Sequence, residues 1–341
     1  MTGNTGNTGN TGNTGNTGNT GNAGISGDSG GGWILADRAD FPFSLEVTGA
    51  GAQIGTLRRA VHIRDETPGG SARKVVAFRN ADAAGAASVR FDDRNWAGRW
   101  YAFRVLKQFA GQTWNTPALH NQLADILLAL ATPSGGTTGQ AVELDTLVAL
   151  ARDERAAAMG EILNQDVEFI TAFMEALAMT PGSHPRTFRL IHIASLIGSY
   201  AALVFKDVFE RPRPSWECPA LLPPVPVPGH SAFPSGHATQ AHLMAACLSY
   251  AFELAGLPAA DRTALGETLK ALARRVARNR EIAGLHYPSD SQAGEVLATA
   301  VFAVLSAHTG TPLDPASYTL RAFGDAAIKA AREFNGQLVL P

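Results

Sequence analysis

From Trp96 onward, apolar residues recur three and four positions apart in run after run, and this periodicity constrains the chain more than any other feature. The spacing predicts helices over 96–110, 116–132, 141–151, 153–179, 185–209, 237–255, 259–279, 289–308 and 315–333. Pro181-Gly182, Pro258 and Thr309-Gly310-Thr311-Pro312 punctuate them. A chain of 341 residues patterned this way has the length to bury a substantial core as a mainly α, helical-bundle protein. Ahead of it, residues 33–95 carry short β-leaning runs at Ser44–Thr48, Leu57–Ile63 and Lys74–Phe78. Turns such as Gly49-Ala50-Gly51 and Pro68-Gly69-Gly70 separate them. This stretch reads as a small irregular or β-containing N-terminal annex, followed by an accessory helical region over 96–184.

Residues 1–32 have a different character. Thr-Gly-Asn repeats seven times from Thr2 to Asn22, and 12 of the 35 glycines fall in this segment. Its only charged residue is Asp28, and it has almost nothing apolar beyond Ile25. Such a composition cannot offset its ordering entropy, so a disordered and dispensable tail is expected.

Charge and cysteine content narrow the function classes. A formal net charge of −2 argues against a basic nucleic-acid-binding protein and against an acidic solvating chain. Two cysteines, Cys218 and Cys247, allow at most one bridge. No run of 18 apolar residues is uninterrupted, so no spanning helix is expected. The nearest approach, Leu190–Phe205, carries His192, Ser195 and Ser199. The N-terminus shows neither a basic nor an apolar signal region, which makes a soluble cytoplasmic protein the expectation.

The chemistry concentrates around the proline-rich stretch 210–236, since six of the nine histidines lie between 184 and 286. Three patterns stand there. Lys206 to Pro214 ends an apolar helix in cations, which suits either an anion site or the helix dipole alone. In Phe233-Pro-Ser-Gly-His237, Ser235 can cap the next helix while Gly236 opens its amides to an oxyanion. The alternative there is an ordinary capped helix bearing a surface histidine. In Arg280 to Asp290, Pro288 suits a first helical position, and Asp290 can hold one nitrogen of His286. A buried structural histidine beside a helix cap is the alternative. A zinc site is disfavoured, because His237 and His242 lie five apart rather than four.

Taken together, the three patterns run as a lysine, six residues, then Arg213-Pro214; Pro-Ser-Gly-His; then an arginine, five residues, His286, three residues and Asp290. The series resembles the tripartite signature of the superfamily joining type 2 phosphatidic acid phosphatases, bacterial non-specific acid phosphatases and vanadium-dependent haloperoxidases. The resemblance covers residues 206–290 and implies a catalytic helical core over 185–335. It implies that Lys206, Arg213, Ser235, Gly236 and Arg280 bind phosphate or vanadate. It further implies that His286 is the nucleophile oriented by Asp290, that His237 moves the proton, and that no metal is needed for hydrolysis.

Arg211-Pro212 competes with Arg213-Pro214, but only Arg213 keeps the family spacing from Lys206, which leaves Arg211 a lesser, structural role. Asn279 stands where the family usually has serine before the third-pattern arginine, and Arg274, Arg275 and Arg278 read as a solvated helix face. The favoured activity is phosphoric ester hydrolysis through a phosphohistidine, with a small phosphate ester as partner and no cofactor. The alternative is a haloperoxidase using halide and hydrogen peroxide, with vanadium on His286; His230, five residues before Ser235, favours it by resemblance to bromide-oxidising members. A non-catalytic anion-binding or scaffold protein is the third reading, with Pro223–Pro226 as a loose polyproline motif. No nucleic-acid partner is expected, and self-association is left open.

Overall fold

The computed structural model describes residues 59–66, 73–80, 96–131 and 138–335. The Thr-Gly-Asn tail and the Ser44–Thr48 run lie outside the described residues. The described part of the annex is an antiparallel pair, β1 (Arg59–Glu66) and β2 (Arg73–Asn80). Its register sets Val61 opposite Phe78 and Ile63 opposite Val76. The run Lys74–Phe78 therefore falls in β2, and residues 59–63 of the run Leu57–Ile63 fall in β1.

The helical unit begins with α1 (Gly98–Ala110), α2 (Pro117–Ala131), α3 (Gly139–Asp153), α4 (Arg155–Val167) and α5 (Ile170–Ala176). It continues with α6 (Pro185–Phe209), the single turn α7 (Pro214–Glu217), α8 (Gly236–Leu254) and α9 (Ala259–Ile282). The last two helices are α10 (Pro288–Leu305) and α11 (Arg321–Phe334). The protein is mainly α-helical.

Helix α8 is the central member, packed by α6, α9, α10 and α11. It is buried over most of its surface, in keeping with a sequence rich in alanine and leucine, and only a narrow stripe of His242, Ala246, Ser249 and Glu253 reaches toward solvent. Small residues set the helix spacing. A Cβ on Gly294 of α10 would lie 2.7 Å from Ala238 Cβ and 2.9 Å from the Ser235 carbonyl, so only glycine permits α10 to approach the start of α8 this closely. Helix α6 is also long and apolar enough to cross a membrane, but 78% of its most apolar window is buried inside the protein. A core helix of this length has the same composition, because α1, α8 and α11 cover it.

Two predicted helices differ from the observed ones. The run 153–179 is split, because Glu168 is extended and accepts the Thr171 amide at 3.1 Å, starting α5 afresh. The final helix begins at Arg321, not 315. Asp314 caps a separate 3₁₀ turn, Pro315–Ser317, and Tyr318 turns back to donate to the Pro312 carbonyl at 2.8 Å.

The proline-rich stretch is anchored by its own small core. Leu221 and Val225 pack with Leu147, Ile162, Leu285 and Tyr287. Arg155 of α4 donates to the carbonyls of Leu221 at 2.6 Å and Ile282 at 3.0 Å. The loop that separates the first two sequence patterns is thereby held against the third.

Candidate active site

The end of α6 and the loop before α8 are stitched together by Lys206 and Ser231. Lys206 is buried and donates from Nζ to the Ser231 and Ala232 carbonyls, both at 2.8 Å, while Ser231 Oγ donates to the Lys206 carbonyl at 2.6 Å. Glu210 then takes a left-handed conformation (φ 46°) that stops the helix. Arg213 follows, fully buried, and donates to the His230 carbonyl at 2.9 Å and the Leu285 carbonyl at 2.9 Å. Its Nη2 meets His230 Nδ1 at 2.9 Å.

Ser235 caps α8 as its sequence suggests, accepting from the Ala238 amide at 3.4 Å. Its own amide donates to the Asp290 carbonyl at 2.9 Å, so the Pro-Ser-Gly-His turn and the first turn of α10 are bonded directly. Gly236 opens α8 with its amide in the first turn, where the helix dipole favours negative charge. His237 is buried, with Nε2 at 3.2 Å from the Gln165 carbonyl and its ring 5.0 Å from that of Phe169. The carbonyl can only accept, so Nε2 carries the proton and Nδ1 is the acceptor nitrogen.

The third pattern closes the site. Gly284 (φ 75°) ends α9, and Pro288 starts α10, leaving His286 on the connection between them. His286 Nδ1 lies 3.1 Å from Asp290 Oδ2, and Nε2 lies 3.1 Å from Arg213 Nη1. A guanidinium only donates and an ionised carboxylate only accepts, so the proton sits on Nδ1 and the lone pair on Nε2. Asp290 Oδ2 also accepts the Tyr287 amide at 3.0 Å. Arg280 is buried and pairs through Nη2 with Asp166 at 3.2 Å, while its Nη1 has no hydrogen-bond partner.

The electrostatics follow from this packing. Burial and the charge of Arg213 hold the Lys206 ammonium well below the usual lysine range. Arg213 is lowered to about 10 by burial, and the neighbouring Arg280 pushes in the same direction; burial lowers Arg280 itself to about 10. His286 is pushed well below 6.5 by burial, then by Arg213, Lys206 and Arg280. His237 is pushed the same way by burial and Arg280. His230 falls to about 4 through burial, Lys206 and Arg213. Burial raises the Asp290 carboxyl, and Arg211 opposes that rise. Lys206, Arg213 and Arg280 thus converge on neutral imidazoles, a field that favours an incoming anion. The unpartnered donor of Arg280 is a buried group of the kind an oxyanion satisfies.

All the residues singled out by the three patterns are thereby brought into one buried cluster. Arg211, given a lesser role by spacing, forms ion pairs with Asp290 Oδ1 at 2.7 Å and Glu143 Oε2 at 2.9 Å. Glu143, Gln165, Asp166 and Phe169 were not legible as site residues. They come from helices, and in the case of Phe169 from a break between helices, without a motif, and only the folded chain brings them to Arg211, His237 and Arg280. Asn279 donates to Glu161 at 2.7 Å and Gln165 at 3.0 Å, bracing the Gln165 segment. Arg275 and Arg278 pair with Glu161 and Glu154 at partly exposed positions. Cys218 and Cys247 are both free, and burial pushes the Cys247 thiol up. Among the described residues no group of three or more His, Cys, Asp or Glu is placed to hold a metal ion.

Residues 188–311 match the family model of the PAP2 superfamily, a span that contains every residue from Lys206 to Asp290. No curated protein matches the chain.

Proposed function

We propose that this chain, whose residues 188–311 form a PAP2 superfamily domain, hydrolyses phosphoric esters through a phosphohistidine on His286. The superfamily's members are generally phosphatases or haloperoxidases. The observation that carries the hydrolase reading is the setting of His286, whose Nδ1 faces Asp290 and whose Nε2 lone pair points at the guanidinium of Arg213.

In this mechanism Lys206, Arg213 and Arg280 bind the phosphoryl oxygens, with the Ser235 hydroxyl and Gly236 amide as further donors. His286 Nε2 attacks phosphorus as the ester P–O bond breaks, and Asp290 stabilises the charge that develops on the ring. His237, protonated on Nδ1 as well as Nε2 once the ester monoanion is bound, donates the Nδ1 proton to the departing alkoxide. Its proton affinity is low in the free site, and the arriving phosphate charge raises it. Water then gives a proton to His237 and attacks phosphorus, the Nε2–P bond breaks, and phosphate and alcohol leave. Atoms balance as ester plus water giving alcohol plus phosphate.

A second reading is favoured by His230, which pairs with Arg213 beside the anion site. The same residues that fit phosphate, including the unpartnered Arg280 Nη1, fit vanadate. Bound vanadate would supply a centre that activates hydrogen peroxide toward halide, with His230 oriented at its edge.

One preparation split in two tests the assignment. Hydrolysis of an aryl phosphate without vanadate, with an acid-labile phosphoryl group trapped on His286, is the expected result. Robust bromide oxidation with vanadate and peroxide, together with negligible hydrolysis, would overturn it.

A further inference from the structure

We propose that Glu143 is a positioning residue for the His286–Asp290 pair, acting through Arg211 and Ser289 from a helix outside the family-matched segment. The inference rests on the reading of His286 as the reacting base, but not on which substrate it attacks.

Asp290 can serve His286 only if Oδ2 faces Nδ1, and rotation about the side chain's last bond would lose that contact. The rotation is fixed at Oδ1, where Arg211 Nη1 donates at 2.7 Å. Arg211 is in turn fixed by three groups. Its Nη2 donates to Glu143 Oε2 at 2.9 Å, its Nη1 reaches Ser289 Oγ at 2.7 Å, and its guanidinium carbon lies 3.7 Å over the Tyr287 ring.

Glu143 also grips the turn that carries Asp290. Its Oε1 accepts the Ser289 amide at 2.6 Å, and its Oε2 accepts the Ser289 hydroxyl at 2.9 Å. One carboxylate on α3 therefore fixes both the first turn of α10 and the arginine that orients Asp290. Position and charge act together. Glu143 and Asp290 share the Arg211 charge, and without Glu143 the whole of it would fall on Asp290 and weaken Asp290 as an acceptor for the His286 Nδ1 proton. All three ionic side chains are nearly inaccessible to water, so the competition is not screened.

The test is Glu143→Gln, which keeps the shape and one acceptor for the Ser289 amide but cannot pair ionically with Arg211. Nitrogen NMR on histidine-labelled protein reads the His286 tautomer directly. The wild type should hold the proton on Nδ1, and the variant should show a substantial Nε2–H population. In hydrolysis, kcat should fall about 10- to 100-fold with KM close to wild type, the range seen when an orienting partner is lost. Glu143→Asp restores the charge at shorter reach and should lie between the two in both readouts. A folded Glu143→Gln protein with the wild-type tautomer overturns the proposal. If that variant fails to fold, an unmoved tautomer in Glu143→Asp overturns it instead. A tautomer shift in a protein that hydrolyses no phosphate ester would support the positioning role while refuting the proposed reaction.

Discussion

Arg213 Nη1 stands 3.1 Å from His286 Nε2, on the edge of the ring away from Asp290, so the cation lies along the lone pair that would attack. In the free protein the guanidinium satisfies Nε2, the proposed nucleophile. An incoming oxyanion competes for the same donor, which couples anion binding to release of Nε2.

Asp290→Asn reverses the polarity on the other edge of that ring. An amide can donate to Nδ1, which moves the proton to Nε2 and removes the lone pair. The expected loss in kcat is on the order of 10⁴-fold, as for an acid–base triad with its tautomer inverted. Steady-state hydrolysis at constant pH measures it, and activity within tenfold of wild type would contradict the orientation argument.

His237→Ala removes the proposed proton carrier without touching the three cations. Turnover should fall about 10²- to 10⁴-fold, while orthovanadate still inhibits or binds near its wild-type affinity. Parallel loss of turnover and anion affinity would instead place His237 among the anion-binding groups.

Arg280→Lys keeps the charge but loses the planar fork that reaches Asp166 and leaves Nη1 open. Loss of a charge-assisted hydrogen bond predicts a fall in phosphate or vanadate affinity of about 10- to 100-fold. Calorimetric titration with orthophosphate is a direct measure, and unchanged affinity would remove Arg280 from the anion site.

Gly294→Ala forces a methyl group into the 2.7 Å gap against Ala238 and the 2.9 Å gap against the Ser235 carbonyl. Overpacking of this kind costs about 1–3 kcal/mol. Because the clash lies beneath the Ser235 turn, weaker anion binding should accompany the lower melting temperature. A loss of stability with anion affinity intact would separate the helix crossing from the site.

Stability should fall on acidification. His192, His237 and His286, which are buried, and the half-buried His230 all have native proton affinities below the unfolded value, with His192 lowered to about 3 by burial and by Arg99. The unfolded chain therefore binds more protons, and the stability present above pH 6.5 drains away as pH falls toward 3. His192 alone accounts for about 2 kcal/mol between pH 7 and pH 5. Denaturant unfolding at the two pH values measures the sum, and equal stability would show that these imidazoles are not held neutral.

The fold was largely legible because helix-forming periodicity and proline or glycine punctuation are local signals. Pro185, Pro288 and the left-handed Gly284 mark boundaries that depend on a residue's own backbone. The split at Glu168 was not visible, because apolar spacing runs on through it and a carboxylate restarts the helix. The candidate site was legible on the same terms, as a set of residues that the fold brings together. Lys206, Arg213, Ser235, His237, Arg280, His286 and Asp290 lie in spaced patterns. Glu143 and Asp166, by contrast, are ordinary acidic residues of helical segments until the fold sets them beside Arg211 and Arg280.

The interruption between α4 and α5 gives the chemistry a second point of origin along the chain. Within five residues, Gln165 supplies the carbonyl for His237, Asp166 the counter-ion for Arg280, and Phe169 the surface under the His237 ring. A fragment cut at residue 185 would retain every signature residue, yet His237 would lack the carbonyl that fixes its tautomer and Arg280 would lack its carboxylate partner. Grafting the signature segment onto another scaffold should therefore transfer anion affinity more readily than turnover.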